Sequence, residues 1–310
     1  MIEVQQLTKR YGPTLAVDGL SFTVEPGRVT GFLGPNGAGK STTMRTMIGL
    51  DRPTSGRVLI DGGPYARLRH PLRQVGALLE AGALHGGRTA RAHLLGLARS
   101  NRIPVRRVDE VLDVVGLTGV ADRRTQGFSL GMTQRLGVAS ALLGDPPVLL
   151  MDEPVNGLDP EGILWIRGLM KRLAAEGRTV FVSSHLMSEM ALTAEHLIVI
   201  GRGRLLADTS VEQFVARNSR AYVLVRSPEP ERMRAVLAEA GVHTDDGPDG
   251  TLEAVGASTE TVGGLAARHG VTVYEISPRT ASLEDAFMQL TATAADHRAD
   301  QGADEGVRRP

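Results

Sequence analysis

The sequence predicts an α/β protein with a mostly parallel sheet, an antiparallel β part and a helical insertion, followed by a smaller α+β unit. Three observations carry that expectation. Short apolar runs alternate with helix-period segments up to about residue 215 of the 310. One stretch, Gly34-Pro35-Asn36-Gly37-Ala38-Gly39-Lys40-Ser41-Thr42, joins an apolar run to a helical one and matches G-x-x-x-x-G-K-[ST] without a mismatch. A second alternation of strand and helix patterns begins after Arg217.

Residues 2–8 and 20–24 alternate apolar and polar, the pattern of strands with one wet face. Between them, 9–13 reads as a loop with an isolated aromatic, Tyr11. Residues 29–33 are apolar enough for a buried strand, and the helix after the glycine-rich loop spans 41–49 before Arg52-Pro53 stops it. A strand and turn fall at 57–63 and another short strand at 75–79, ending at Glu80. The period then turns helical, with helices at 89–99, 108–115 and 130–143 in an insertion of about 85–144. An apolar strand at 148–151 ends in Asp152-Glu153, a helix covers 161–176, and a strand at 179–183 ends in Ser184-His185. The last strand of this first domain, 1–217, lies at 197–200. Residues 218–293 read β-α-β-β-α-β, a ferredoxin-like order, with a closing helix at 283–290. The remainder, 294–310, offers almost nothing to bury and is expected to be disordered.

Composition narrows the function. Hydrophobic residues make up 42% and charged residues 23%, enough for a real core. Zero formal net charge gives no electrostatic footprint for nucleic acid. The chain has no cysteine, which removes disulfides and thiolate-held metals and suits a reducing cytoplasm. The N-terminus reads directly as a strand, without a signal pattern, and no apolar run approaches the ~20 residues of a membrane span. Any action at a membrane therefore calls for another chain to supply the span. Lysine occurs only at Lys9, Lys40 and Lys171, and one of these lies in the glycine-rich loop.

The loop's chemistry follows from its spacing. Gly34, Gly37 and Gly39 let backbone N–H groups turn inward at a helix N-terminus, where the dipole favours a phosphate. Lys40 then reaches β- and γ-phosphates, and the Ser41 hydroxyl is placed to ligate Mg²⁺. Asp152, at the end of an apolar strand, is a second candidate for Mg²⁺, and Glu153 is a candidate base to polarise water. Two charged residues capping a strand are the plainer alternative. Ser129 opens a helix either as an N-cap or as part of a phosphate site. His185 and Tyr11 each admit a structural reading, as a strand-end histidine and a surface aromatic.

The order of these pieces resembles the nucleotide-binding subunit of an ATP-binding cassette (ABC) transporter over residues 1 to about 215. The resemblance rests on Tyr11, the Walker A loop at 34–42, the signature segment Phe128-Ser129-Leu130-Gly131-Met132, Walker B at 148–153, the D-loop Asn156-Gly157-Leu158-Asp159 and the switch His185. It implies a P-loop NTPase fold and an ATPase using ATP and Mg²⁺. It also implies a head-to-tail dimer of two copies, with ATP held by Walker A of one copy (Asn36, Ala38 and Thr42 included) and the signature of the other. Tyr11 would stack on adenine, Glu153 would be the general base and His185 would contact the γ-phosphate.

Two departures stand out. Leu130 replaces a signature glycine, and Glu80 stands where the family has its Q-loop glutamine, which would add a charged Mg²⁺ ligand. Ser-Leu-Gly-Met-x-Gln-Arg and Ala-Leu-Leu-Glu-Ala look like the drug- and antibiotic-export branch, whose ATPase and membrane chains are separate. That branch's C-terminal extension is similar to the second unit, including Ser282-Leu283-Glu284-Asp285-Ala286-Phe287. The expectation is thus a bacterial ATPase on the cytoplasmic face of the membrane, bound to a separate permease. The alternative class is a non-transport ABC ATPase of translation or DNA repair, which one cassette without heptads disfavours.

Overall fold

The computed structural model describes residues 1–218, 220–279, 282–288 and 290. Contacts divide the chain into two compact units, Met1–Val211 and the residues from Glu212 onward. The tail expected at 294–310 lies outside the described residues.

The first unit holds two sheets. β1 (Ile2–Tyr11) and β2 (Thr14–Val24) form a hairpin that runs to the Gly12-Pro13 turn, longer than the alternation predicts. Lys9, Arg10 and Tyr11 still pair across the hairpin but leave little apolar signal. Gln6, with φ of 47°, lies where the register shifts between Val4 and Leu7. That bulge keeps Ile2, Val4 and Leu7 all buried although their spacing breaks period two. β3 (Val29–Leu33) leads into the loop and α1 (Lys40–Met47), and β4 (Ser55–Ile60) pairs with β1, giving the antiparallel order β2-β1-β4.

The larger sheet is assembled from non-consecutive strands. β5 (Val75–Leu78) precedes the helical insertion of α2 (Ala90–Ser100), α3 (Arg106–Val114) and α4 (Leu130–Leu142). β6 (Val148–Asp152), α5 (Pro160–Ala175), β7 (Thr179–Ser184), α6 (Met187–Thr193), β8 (His196–Gly201) and β9 (Arg204–Ser210) complete it. Its order is β5-β6-β7-β3-β8-β9, parallel except for β9. The central strands are apolar and buried along their length, as expected where both faces are covered. Phe22, Phe32 and Phe181 bring the two sheets together, with ring centroids 5.0 to 5.9 Å apart. α6 and β9 are elements that the periodicity does not predict. The first is one short segment, and the second is an edge strand whose side chains are mostly exposed or half-buried.

This order gathers the carboxyl ends of β6, β7 and β3 at one edge, where open parallel sheets place ligands. β7 separates β3 from β6, so Ser183 lies in register with both Asp152 and Phe32.

α7 (Val211–Asn218) leads into the second unit. There β10 (Tyr222–Arg226), α8 (Pro230–Glu239), β11 (His243–Asp246), β12 (Leu252–Val255), α9 (Thr259–His269) and β13 (Glu275–Arg279) follow in the expected β-α-β-β-α-β order. The strands form an antiparallel sheet, β11-β12-β10-β13, over a core that includes Val223, Met233, Leu237, Ala254 and Val262. Two strands sit later than expected, at 243–246 and 275–279 rather than 241–244 and 271–276. Val271 instead belongs to the core and Val242 packs against it, both outside the ladder, so their apolar character reports burial rather than pairing. Residues 283–288 and 290 are helical, within the 283–290 that the sequence predicts.

Candidate functional site

The glycine-rich loop wraps a cleft of about 430 Å³ lined by Ala16, residues 36–42, Glu153, Asn156 and His185. Glycine is required at its hinges. A Cβ on Gly34 would stand 2.5 Å from the Ile200 carbonyl oxygen, and one on Gly39 would stand 2.5 Å from that of Ala16. Gly39 also has a φ of 104°, which side-chain-bearing residues avoid. The loop is braced from behind: Gly203 N–H donates to the Ala38 carbonyl at 2.9 Å, while Asp18 N–H donates to the Gly203 carbonyl at 2.9 Å. α1 then begins at Lys40 without a side-chain cap. Its first N–H groups are therefore available to an anion, which is the chemistry of a phosphate nest.

Lys40 is 7% exposed. Its Nζ donates to the Gly34 carbonyl at 2.6 Å and the Pro35 carbonyl at 3.4 Å. Burial lowers its pKa, and the nearby Glu153 and Asp152 carboxylates act in the opposite direction. A buried cation held on its own loop's carbonyls is well placed to exchange them for phosphate oxygens.

Asp152 and Glu153 are held by a residue the sequence reading missed. Buried Ser183 hydrogen-bonds Asp152 Oδ1 through its hydroxyl, whose oxygen also accepts from Glu153 N–H at 3.0 Å. The only available signal is a pair of serines at the end of an otherwise apolar strand. Glu153 has φ of 50° and turns its carboxylate toward His185, whose Nδ1 lies 2.7 Å from Glu153 Oε2. Residues 36–42, Glu153 and His185 thus share one cleft.

Ser129, Leu130, Gly131 and Met132 lie elsewhere. They line a separate cleft of about 440 Å³ with Arg135, Gly157, Leu158 and Asp159. Ser129 caps α4, its Oγ accepting from Met132 N–H at 3.2 Å, and Asp159 caps α5 by accepting from Gly162 N–H at 2.9 Å. Leu130 is 65% exposed and covers Gly157, on which a Cβ would overlap its Cγ and Cδ2. Asn156 lines the first cleft and Gly157 the second, so one short loop touches both.

Tyr11 and Glu80 do not line the loop cleft. Tyr11 Oη donates to Asp51 Oδ2 at 2.9 Å, and Lys9 Nζ sits 4.6 Å from its ring centroid. Burial, then Asp51, raise the Tyr11 pKa, while the Thr42 hydroxyl at the loop's end lowers it. Glu80 is exposed just beyond β5, within electrostatic reach of Arg45. The Ser41 hydroxyl and Asp152 carboxylate are hard oxygen donors that suit Mg²⁺. No cluster of three or more acidic or imidazole side chains forms a metal cage among the described residues. Mg²⁺ commonly takes one or two protein groups and completes its shell with phosphate and water, so the donor set fits.

A glycine-rich phosphate loop at the edge of a parallel sheet, with an acidic strand end beside it, defines a nucleoside-triphosphate-binding protein. The ABC transporter family model matches residues 17–156, and a model for a domain of unknown function (DUF8746) matches 221–284. An uncharacterized ABC transporter ATP-binding protein of Bacillus subtilis is 37% identical, covering 94% of this chain and 96% of that protein. The bacitracin transport ATP-binding protein of Bacillus licheniformis is 36% identical over 94% and 97% of the two chains. A Nod factor export ATP-binding protein of Burkholderia pseudomallei is 35% identical over 94% and 96%. Among solved structures, the ATP-binding subunit of an ABC transporter aligns with TM-score 0.64 at 28% identity, covering 70% of this chain and 92% of that one. A cassette in a dimeric post-hydrolysis state, bound to ADP and Pi, aligns with TM-score 0.63 at 26% identity over 68% and 99%. The chain belongs to the ATP-binding proteins of ABC transporters and is an ABC-type ATPase.

Proposed function

We propose that this chain is the ATPase subunit of a bacterial exporter of a drug, antibiotic or other amphipathic compound, working on a separate permease. Similarity to bacitracin and Nod factor export proteins over nearly the whole chain supports the export reading. No helix among the described residues is long and apolar enough to cross a membrane, which agrees with a permease supplied by another chain. Residues 80–100 are the proposed docking region on the cytoplasmic face, because Glu80 joins the sheet edge to the helical insertion. Cross-links from these residues to the permease should form in the assembled complex, and their absence would overturn that assignment.

The observation that carries the mechanism is the division of the motifs between two clefts that share no lining residue. In a head-to-tail dimer the loop cleft of one copy faces the Ser129–Met132 cleft of the other, and two ATP molecules complete the interface. Tyr11 stacks on adenine, and Lys40 and the loop N–H groups hold the phosphates. Ser41, Asp152 and Glu80 would hold Mg²⁺, which would neutralise phosphate charge when bound. Glu153 takes a proton from the attacking water, and His185 contacts the γ-phosphate. ATP favours the closed dimer by its differential affinity, and hydrolysis releases it. We assign residues 1–217 to the cassette, with its helical subdomain at 85–144, and 218–293 to an accessory domain. The Glu153→Gln protein should bind ATP, form a stable dimer and lose turnover. Near-normal hydrolysis by that protein would remove Glu153 as the base.

A further inference from the structure

Gln134 lies in the second turn of α4, the helix capped by Ser129, and is 5% exposed. Its Nε2 donates to the Pro154 carbonyl at 3.0 Å and the Glu153 carbonyl at 3.3 Å. Two carbonyl acceptors at one end of the amide identify that end as the nitrogen, because an oxygen there would face lone pairs only. Glu153 needs such support. Its left-handed φ of 50° is a conformation that side-chain-bearing residues keep only where their surroundings fix it. Ser183 holds its N–H, and Asn156 N–H donates to its carbonyl at 3.1 Å. Gln134 grips the same carbonyl from a different element, a helix, and spans to the next one.

We propose that Gln134 is a positioning residue for hydrolysis: its buried amide fixes the Glu153-Pro154 backbone and thereby aims the Glu153 carboxylate. The proposal rests on Glu153 being the base. It has a consequence for the dimer. α4 presents Ser129–Met132 to the partner's nucleotide at its N-terminus and grips its own chain's base one turn later. A single rigid helix therefore carries contacts to both composite sites, so a shift of α4 as the partner's nucleotide arrives moves the backbone that aims Glu153.

The test is steady-state hydrolysis by the full chain carrying Gln134→Met, which is close in size and lacks the donors. ATP affinity and Tm are measured on the same samples. Turnover per folded molecule should fall at least about tenfold with KM for ATP within about twofold, since misplacing a reacting group affects the chemical step far more than binding. A purely structural role would lower Tm and leave kcat per folded molecule unchanged, which would overturn the proposal. If Gln134→Met fails to fold, Gln134→Glu keeps the shape while replacing the donors with an acceptor, and the same kcat loss is expected. Glu153→Gln is run in parallel. Inactive Glu153→Gln with normal Gln134 variants overturns the positioning role alone, whereas an active Glu153→Gln overturns the base assignment and this proposal together.

Discussion

His185 Nδ1 and Glu153 Oε2 stand 2.7 Å apart, joining the ends of β7 and β6 across the mouth of the loop cleft. The pair orients the carboxylate before nucleotide arrives. His185→Ala should lower kcat about 100-fold, in the range of a lost acid–base partner, while changing ATP affinity far less. Single-turnover hydrolysis and equilibrium binding of a non-hydrolysable analogue separate the two. Wild-type turnover would reduce the pair to a strand-end contact.

The loop's fit to phosphate depends on backbone that cannot carry a side chain. Gly39→Ala should abolish measurable ATP binding by calorimetry and destabilise the unliganded chain by about 1–2 kcal/mol, the cost of a Cβ in left-handed backbone. The close approach of the Ala16 carbonyl adds to that cost.

Leu130 and Gly157 form an energetic pair. Gly157→Ala puts a methyl into Leu130, and Leu130→Gly clears the space. Denaturant unfolding of both single variants and the double should give an interaction energy of about 0.5–3 kcal/mol, as for other residues in direct contact. Additive effects would mean that Leu130 swings away from the loop without cost. The contact also accounts for a leucine where the family usually has glycine: the absent Cβ at Gly157 makes its room.

Burial, and then the positive charge of Arg88, lower the pKa of His93, whose Nε2 lies 3.3 Å from Ser140 Oγ. Between that lowered value and the ordinary 6.5, the unfolded chain holds a proton that the folded chain does not. Stability is therefore lost as pH falls through the ordinary value toward the lowered one. Tm should drop more steeply from about pH 7 to pH 5 in the wild type than in His93→Gln, a window set by the ordinary histidine value. Parallel curves would show that other groups dominate the acid response.

Metal dependence tests the outlying carboxylate. Ser41→Ala should raise the Mg²⁺ concentration needed for half-maximal hydrolysis. Glu80→Gln should do the same if the loop beyond β5 moves to the metal when nucleotide binds, with little change in ATP affinity. An unchanged metal requirement leaves Glu80 a surface residue.

The sequence alone was enough to anticipate the phosphate loop, because a nest at a helix N-terminus needs glycines and a lysine at fixed chain spacing. It also showed the apolar strand before Asp152-Glu153 and the βαββαβ order after Arg217, because buried strands must be apolar and turns need their own residues. Tertiary structure decided what those strands do to one another. Only the order β6-β7-β3 brings Ser183 between Asp152 and the loop, and only the packing of α4 carries Gln134 to the Glu153 carbonyl. Leu130 over Gly157 is likewise a contact between segments with no local pattern in common. Local spacing encodes groups that act within one turn of chain. Groups that meet across strands are fixed by sheet order and register, which no local period specifies.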